Sequence, residues 1–371
     1  MRILADIRLL SRGGVSGIEE YTRNLLTSLL ALDKENRYTL FYNGLRKLPL
    51  ASQLPAVGYQ NIAVIDRRIP NKIFDFSVKF LNFPAVDRFM EADVVFSPHF
   101  NILKTAKPRV ITFHDLSFLH HPYFFSRRQK FWHWMQDVRR QAAEAAKIIA
   151  VSEFTKSDLV NLLGVPSEKV EVIYSGISPE FKHLTRPMLH DARPYILYLG
   201  TLEPRKNVAA IIRAFNVIKT YPEFSDWQLV LAGRPGWLYE NINREVKASP
   251  YGADIVFAGS VKTEDRVLLY NLAKVFVYPS FFEGFGFPPL EAQACGCPVV
   301  ASDRTSLPET LGESALLVNP WKIEELAEAI REAALNQKTR AHLIEAGAKN
   351  VARFNWAKAA GETLKVLQKL A

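Results

Sequence analysis

Short apolar runs alternate along this chain with amphipathic stretches of helical period, the pattern of stacked parallel β–α units. In the first half, Arg2–Ile7, Tyr38–Tyr42, Val94–Ser97, Arg109–Phe113, Lys147–Ser152 and Val170–Tyr174 read as strands. Ile18, Tyr21, Leu25, Leu26, Leu29 and Leu30 recur at the spacing of one helix face. Residues 126–146 read as helix, and Glu153–Leu163 as a helix stopped by Gly164 and Pro166. Residues 44–90 have no clear period but hold a basic, aromatic-rich stretch from Arg67 to Phe89. Ser175–Pro194, with Gly176, Pro179, Pro187 and Pro194, breaks the alternation and reads as a linker. Strands resume at Tyr195–Leu199, Gln228–Ala232, Ile255–Ala258, Val275–Tyr278, Val299–Ser302 and Leu316–Val318, and helices follow over 324–334, 340–352 and 357–370.

The expected architecture is therefore α/β, with two Rossmann-like domains, as suits 371 residues, too many for one ordinary core. The first spans 1–180, residues 181–194 link, and the second spans 195–355, leaving a last helix at 356–371. Two such domains offer a cleft at the carboxyl ends of their sheets, where open α/β sheets bind ligands. Gly13–Gly17, His114, Arg205–Lys206 and Glu283–Glu291 all follow strands and can converge there.

The chain carries 47 Lys and Arg against 38 Asp and Glu, a net charge of +9. That balance suits nucleic acid, anionic lipid or phosphorylated ligands without choosing among them. The two cysteines, Cys295 and Cys297, form a single C-x-C; neither a four-ligand zinc site nor a disulfide framework is expected, which fits a reducing compartment. Asp6 and Arg8 interrupt the first apolar run, so it reads as a core strand and not a signal peptide. No uninterrupted apolar run reaches the roughly 20 residues that span a bilayer. A cytoplasmic protein is expected, peripheral on the inner face of the cell membrane.

The densest chemistry lies in Tyr278–Val300, where Glu283 and Glu291 stand eight positions apart around two glycines and two prolines. Eight residues at about 100° each leave the acids about 80° out of register on a helix. The segment instead reads as strand, loop, then a helix opening at the prolines, with Glu283 in the loop and Glu291 in the first turn. A helix N-terminus beside two acids suits a ligand with both a phosphate and many hydroxyls, a nucleotide sugar. In GTLEPRKN (Gly200–Asn207), Arg205 and Lys206 precede a helix and suit a diphosphate; a solvated basic turn is the alternative. Gly13–Gly17 permits close backbone approach to a phosphate or sugar, or is simply a tight turn. His114 in TFHD is placed to donate to a sugar hydroxyl or diphosphate oxygen, or to act as acid or base; a structural histidine is the alternative. No Asp-x-Asp occurs, so no metal is expected, and leaving-group charge falls to Arg205, Lys206 and helix N–H groups. Phe113–Arg140 mixes aromatics and cations, as at an anionic membrane interface or on a core helix with a basic face.

Taken together, GTLEPRKN, the E-x7-E segment with its GFGFPPLEA core, SDRTSLPE (Ser302–Glu309) and HDLSFLHHP (His114–Pro122) resemble the retaining glycosyltransferases of family 4, which have a GT-B fold. The last stretch looks like that of bacterial enzymes that build surface polysaccharides, mannosyltransferases among them. By that resemblance Arg205 and Lys206 bind the donor diphosphate, Glu283 the transferred sugar, and Glu291 the ribose. Backbone N–H groups of Phe285, Gly286 and Phe287 touch sugar or phosphate, His114 sits at the reacting face, and Gly14 to Gly17 close over the phosphates and the acceptor side. The last helix crosses back to the first domain. Thr201 stands where some members carry an additional Arg. The implied reaction is retaining glycosyl transfer from GDP-mannose to a saccharide, lipid-linked acceptor, with no metal or cofactor. A UDP-sugar donor, a nucleotide-sugar epimerase or hydrolase, and a non-catalytic basic membrane or nucleic-acid-binding protein are the alternatives; the absence of an RNA-binding motif disfavours nucleic acid as a partner.

Overall fold

The computed structural model describes residues 1–12, 16–43, 54, 60–185 and 193–370. They divide into two compact units, Met1–Gly176 with Asn355–Ala371, and Ile177–Phe354. The first unit thus ends four residues before the expected position 180, and half of the expected linker, 186–192, lies outside the described residues.

In the first unit β1 (Arg2–Asp6), β2 (Arg37–Tyr42), β3 (Ile62–Asp66), β4 (Val94–Ser97), β5 (Arg109–Phe113), β6 (Lys147–Ala150) and β7 (Val170–Val172) form a parallel sheet in the order β3-β2-β1-β4-β5-β6-β7. The central strands are buried throughout: all five residues of β5 are out of water. Parallel strands covered on both faces read as continuous apolar runs, which is why these strands are visible in the sequence. At the edge, β3 exposes Ala63 and Val64 and packs only partly, so its residues leave no periodic signal. Ala5 of β1 pairs with Leu40 of β2 on one side and Phe96 of β4 on the other. The strand order reverses between β1 and β4, the position where open α/β sheets leave a crevice at their carboxyl ends.

Local sequence sets several boundaries. Ser16 caps the helix Gly17–Leu32 in a capping box with Glu19, so Gly17 is the first helical residue and not part of the preceding loop. The expected helix over 126–146 is broken. Asp137 takes the left-handed conformation at φ 48° and separates Arg127–Gln136 from Val138–Glu144. The break lets the fully buried Gln136 accept from the Ile102 amide at 2.7 Å and donate to Asp75 at 3.2 Å.

The second unit repeats the plan with β8 (Tyr195–Leu199), β9 (Gln228–Ala232), β10 (Ile255–Gly259), β11 (Val275–Tyr278), β12 (Val299–Ser302) and β13 (Leu316–Val318), parallel in the order β10-β9-β8-β11-β12-β13. Here the reversal falls between β8 and β11, whose Ile196 and Val275 pair. The loops after these two strands carry Glu203–Asn207 and Ser280–Gly286.

The last helix, Trp356–Gln368, belongs to the first unit and packs on the helix Gly17–Leu32. Trp356 meets Tyr21 edge-on at 5.7 Å. Gly176 is fixed by this helix, because a Cβ there would lie 2.3 Å from the Trp356 nitrogen. Trp356→Ala should destabilise the first unit by about 3–5 kcal/mol, the cost of an emptied aromatic site. Denaturant unfolding followed by far-UV circular dichroism measures it, and a loss below about 1 kcal/mol would count against this docking.

Candidate active site

The adjacency of β8 and β11 brings two short loops into direct contact. After β8, Pro204–Lys206 forms a 3-10 turn and Asn207 takes a left-handed conformation at φ 55°. The Asn207 amide donates to the carbonyls of Pro279 at 3.2 Å and Pro320 at 2.8 Å. From the β11 side, the Phe281 N–H donates to the Arg205 carbonyl at 2.9 Å, and Ser280 Oγ lies 3.1 Å from the same oxygen. Gly233, at the end of β9, allows the close packing behind these loops, since a Cβ there would fall 1.8 Å from the Gly200 oxygen.

This scaffold holds a buried cluster of charge. The Lys206 ammonium donates to Glu283 Oε1 at 2.5 Å and to the Tyr278 hydroxyl at 2.7 Å. Ser280 Oγ donates to the same Glu283 oxygen at 2.6 Å. Arg205 Nη1 lies 3.4 Å from Glu283 Oε2 and donates to the Phe282 carbonyl at 2.7 Å, while its Nη2 pairs with Glu203 at 2.9 Å. The Glu283 backbone is pinned as well: its N–H donates to Thr305 Oγ1 and its carbonyl accepts from Ser306 Oγ, both at 3.0 Å. Glu283 is 6% exposed and Lys206 8%. Burial by itself would raise the Glu283 carboxyl, but the Lys206 and Arg205 charges outweigh it and hold it below its ordinary range. The acid is therefore ionised and oriented, a rigid acceptor for hydroxyl groups.

Glu291 stands elsewhere in the chemistry. The helix runs Phe287–Ala294, so Glu291 is its fifth residue and not in the first turn as expected. It is 1% exposed, and its carboxylate accepts from Arg266 at 2.5 Å and the Tyr270 hydroxyl at 2.8 Å. The helix opens from Gly286 at φ 95°, where a Cβ would meet Leu307 at 2.7 Å. Pro288 and Pro289 carry no N–H, so the backbone donors at the start of this helix are those of Phe285, Gly286 and Phe287.

In the first unit, His114 follows β5 and is 9% exposed. Its Nε2 lies 2.8 Å from the Pro98 carbonyl. A carbonyl only accepts, so Nε2 carries the proton and Nδ1 the lone pair. Burial lowers the ring's pKa to about 4. The neutral ring thus spends its N–H on Pro98 and carries its lone pair on Nδ1. Asp115 caps the next turn, taking the Ser117 N–H at 3.0 Å and its hydroxyl at 2.6 Å. Gly17 opens its helix, and Gly14 lies outside the described residues.

Two family models match this chain: Glycosyltransferase Family 4 over residues 15–181 and Glycosyl transferases group 1 over residues 184–350. The chain belongs to glycosyltransferase family 4. An O-antigen chain mannosyltransferase B of Escherichia coli is 29% identical over 282 residues, covering 74% of this chain and 73% of the relative. Among solved structures, a sucrose-phosphate synthase from Thermosynechococcus elongatus superposes with a TM-score of 0.78 at 20% identity, over 100% of this chain and 99% of the other. Anabaena HepE in complex with UDP and glucose superposes at 0.76 and 17% identity, over all of both chains. These superpositions show that the two Rossmann-like units have the GT-B fold.

Within this family 4 chain, the structure brings Arg205, Lys206 and Glu283 together and gives Glu291 its own partners. Tyr278, Ser280, Glu203, Thr305 and Ser306 complete the first group and Arg266 and Tyr270 the second. Sequence reading left all seven without a role. Ser280 and Tyr278 flank the motif closely enough to suggest themselves; Arg266 and Tyr270 come from another helix and leave no local signal.

Glu283→Gln should strand the buried Lys206 charge and cost about 3–5 kcal/mol, measured by denaturant unfolding. His114 and His133, both lowered to about 4 by burial, favour the neutral ring in the folded state. The stability they contribute is present above the unfolded value of about 6.5 and is lost as pH falls from there towards 4, at most ~3 kcal/mol each. Thermal melts from pH 7.5 to 4.5 should show this drop, with a smaller one in His133→Phe.

Proposed function

We propose that this glycosyltransferase moves a mannosyl group from GDP-mannose to a lipid-linked saccharide, with retention of configuration and without a metal ion, in surface-polysaccharide synthesis. The observation that carries the chemistry is the Lys206–Glu283 pair with Arg205 beside it. The mannose assignment is supported by the relative described as an O-antigen chain mannosyltransferase.

Arg205 and Lys206 bind the diphosphate and stabilise the charge that develops on it as the bond breaks. Backbone N–H groups of Phe285, Gly286 and Phe287 add neutral donors. Glu283 accepts hydrogen bonds from the sugar hydroxyls. Glu291 takes the ribose hydroxyls, its carboxylate oriented by Arg266 and Tyr270. His114 accepts from a substrate hydroxyl through Nδ1, and Gly14 and Gly17 serve the phosphate and acceptor side.

The acceptor oxygen attacks the anomeric carbon from the face the diphosphate leaves. The carbon–oxygen bond to phosphate breaks with its electrons going to the diphosphate oxygen, which then takes the acceptor's proton. A covalent Glu283 adduct is disfavoured, because both carboxylate oxygens are engaged by Lys206, Ser280 and Arg205. No described helix is long and apolar enough to cross a membrane; contact with a lipid-linked acceptor would be made at the membrane surface.

A panel of nucleotide sugars, followed by nucleotide diphosphate release with and without a lipid-linked acceptor, tests the reading. GDP release from GDP-mannose that depends on acceptor is the expected result, and release from UDP-sugars alone would overturn the donor. Activity should survive EDTA. Lys206→Ala should lower turnover by about 10²–10³-fold, the scale of losing one leaving-group donor, while Ser280 and Arg205 keep Glu283 in place.

A further inference from the structure

The aromatic, basic stretch Phe113–Arg140 does not face solvent as a block. Phe113 and Phe124 are buried, and Trp132 turns inward, stacked on His99 at 5.9 Å and packed against the core of the first unit. What remains outside is Tyr123, Phe131 and Trp134. A second segment completes a surface with them. The helix Asn71–Leu81, within the basic, aromatic stretch Arg67–Phe89, has two apolar faces. Phe74 and Val78 point into the core. At about 100° per residue, Ile73, Phe76 and Phe80 fall together on roughly the opposite side. All three are exposed, at 60%, 54% and 50%. Leu81, Phe83 and Phe89 extend the exposed apolar surface just beyond.

The two helices are in contact and their aromatics join. Phe76 and Phe80 are 4.7 Å apart, Phe80 lies 6.1 Å from Trp134, and Phe131 lies 5.6 Å from Trp134. Lys79 locks the pair by donating to the Trp134 carbonyl at 2.9 Å, with its charge 4.9 Å from the indole. Basic side chains outnumber acidic ones around these aromatics, and Asp137, just after the second helix, pairs with Lys79 at 3.2 Å. Lys72, Arg127, Arg128 and Lys130 are exposed around the aromatics, and Arg67 covers the Phe89 ring at 5.0 Å. The one acid on these two helices, Asp75, is turned away to Arg8 at 3.2 Å.

We propose that this composite face, built from helices Asn71–Leu81 and Arg127–Gln136, docks on an anionic bilayer surface, with Ile73, Phe76, Phe80, Phe131 and Trp134 entering the interface and Lys72, Arg127, Arg128 and Lys130 meeting lipid phosphates. A protein partner would be served by aromatics alone; rings rimmed by cations of one sign match the two terms that hold a protein to such a membrane. The inference deepens the membrane-surface reading given above, and its readout, lipid binding, is separate from donor turnover.

Flotation with vesicles of phosphatidylglycerol and phosphatidylethanolamine, against phosphatidylcholine alone, tests it on the full chain. Wild type should float with the anionic vesicles only. Phe76→Ser with Phe80→Ser should lower the bound fraction at least tenfold, and so should Lys72→Glu with Lys130→Glu, at unchanged melting temperature and unchanged GDP release from GDP-mannose with a soluble acceptor. Flotation unaffected by both variants, or no flotation of wild type, would overturn the proposal. So would a doubled mass in light scattering that Phe76→Ser with Phe80→Ser abolishes, which would assign the face to a second copy of the chain.

Discussion

A lysine withdrawn from water must keep a counter-charge, and Lys206 finds it in Glu283, 77 positions away in the chain. That requirement ties the loop after β8 to the loop after β11 more firmly than backbone pairing alone. Tyr278, Ser280, Thr305 and Ser306 then fix the acid from both sides, so its carboxylate and its peptide are oriented before any ligand arrives. Preorganisation of this kind lets a transferase act on charge that appears only as the glycosidic bond breaks. The same network holds the Glu283 carboxylate ionised and in one orientation.

The two acids of the E-x7-E segment follow different physical logic. Glu283 lies beyond a strand, in a loop that must be held from outside, and takes its partners from its own loop and the neighbouring one. Glu291 sits a full turn into a helix and is anchored by Arg266 and Tyr270 on the preceding helix, Thr263–Leu272. Each carboxylate satisfies a buried cation, yet only the first stands beside a second cation suited to phosphate. The prolines between them sharpen the division, since they remove two backbone donors and concentrate the rest at Phe285–Phe287.

The first unit spends its aromatics in two ways. One set fills the space around His114 and keeps that ring neutral by excluding water. The other is left outside and ringed by cations. Sequence reading left the Phe113–Arg140 stretch open between a membrane interface and a core helix with a basic face, because composition records which residues are near in the chain and not which way they turn. Trp132 and Trp134 differ by two positions, about 200° around a helix, and so face nearly opposite ways. The exposed face of Asn71–Leu81 went unassigned for a related reason: apolar residues on both sides of a helix blur the period that would mark it.

The chain alone determined the doubly wound α/β plan, because strands buried on both faces must be apolar along their length and so announce themselves. It also determined the residue types of the candidate site, since Arg205, Lys206, Glu283 and Glu291 stand in motifs whose spacing follows from strand, loop and helix starts. Only the tertiary structure decided which groups meet. Strand order puts β8 beside β11, although β9 and β10 intervene in sequence, and that adjacency pairs Lys206 with Glu283. Burial decided the protonation of His114, and packing against the core decided which aromatics reach solvent. These outcomes depend on distances and exposures between segments remote in the chain, and a linear pattern contains neither.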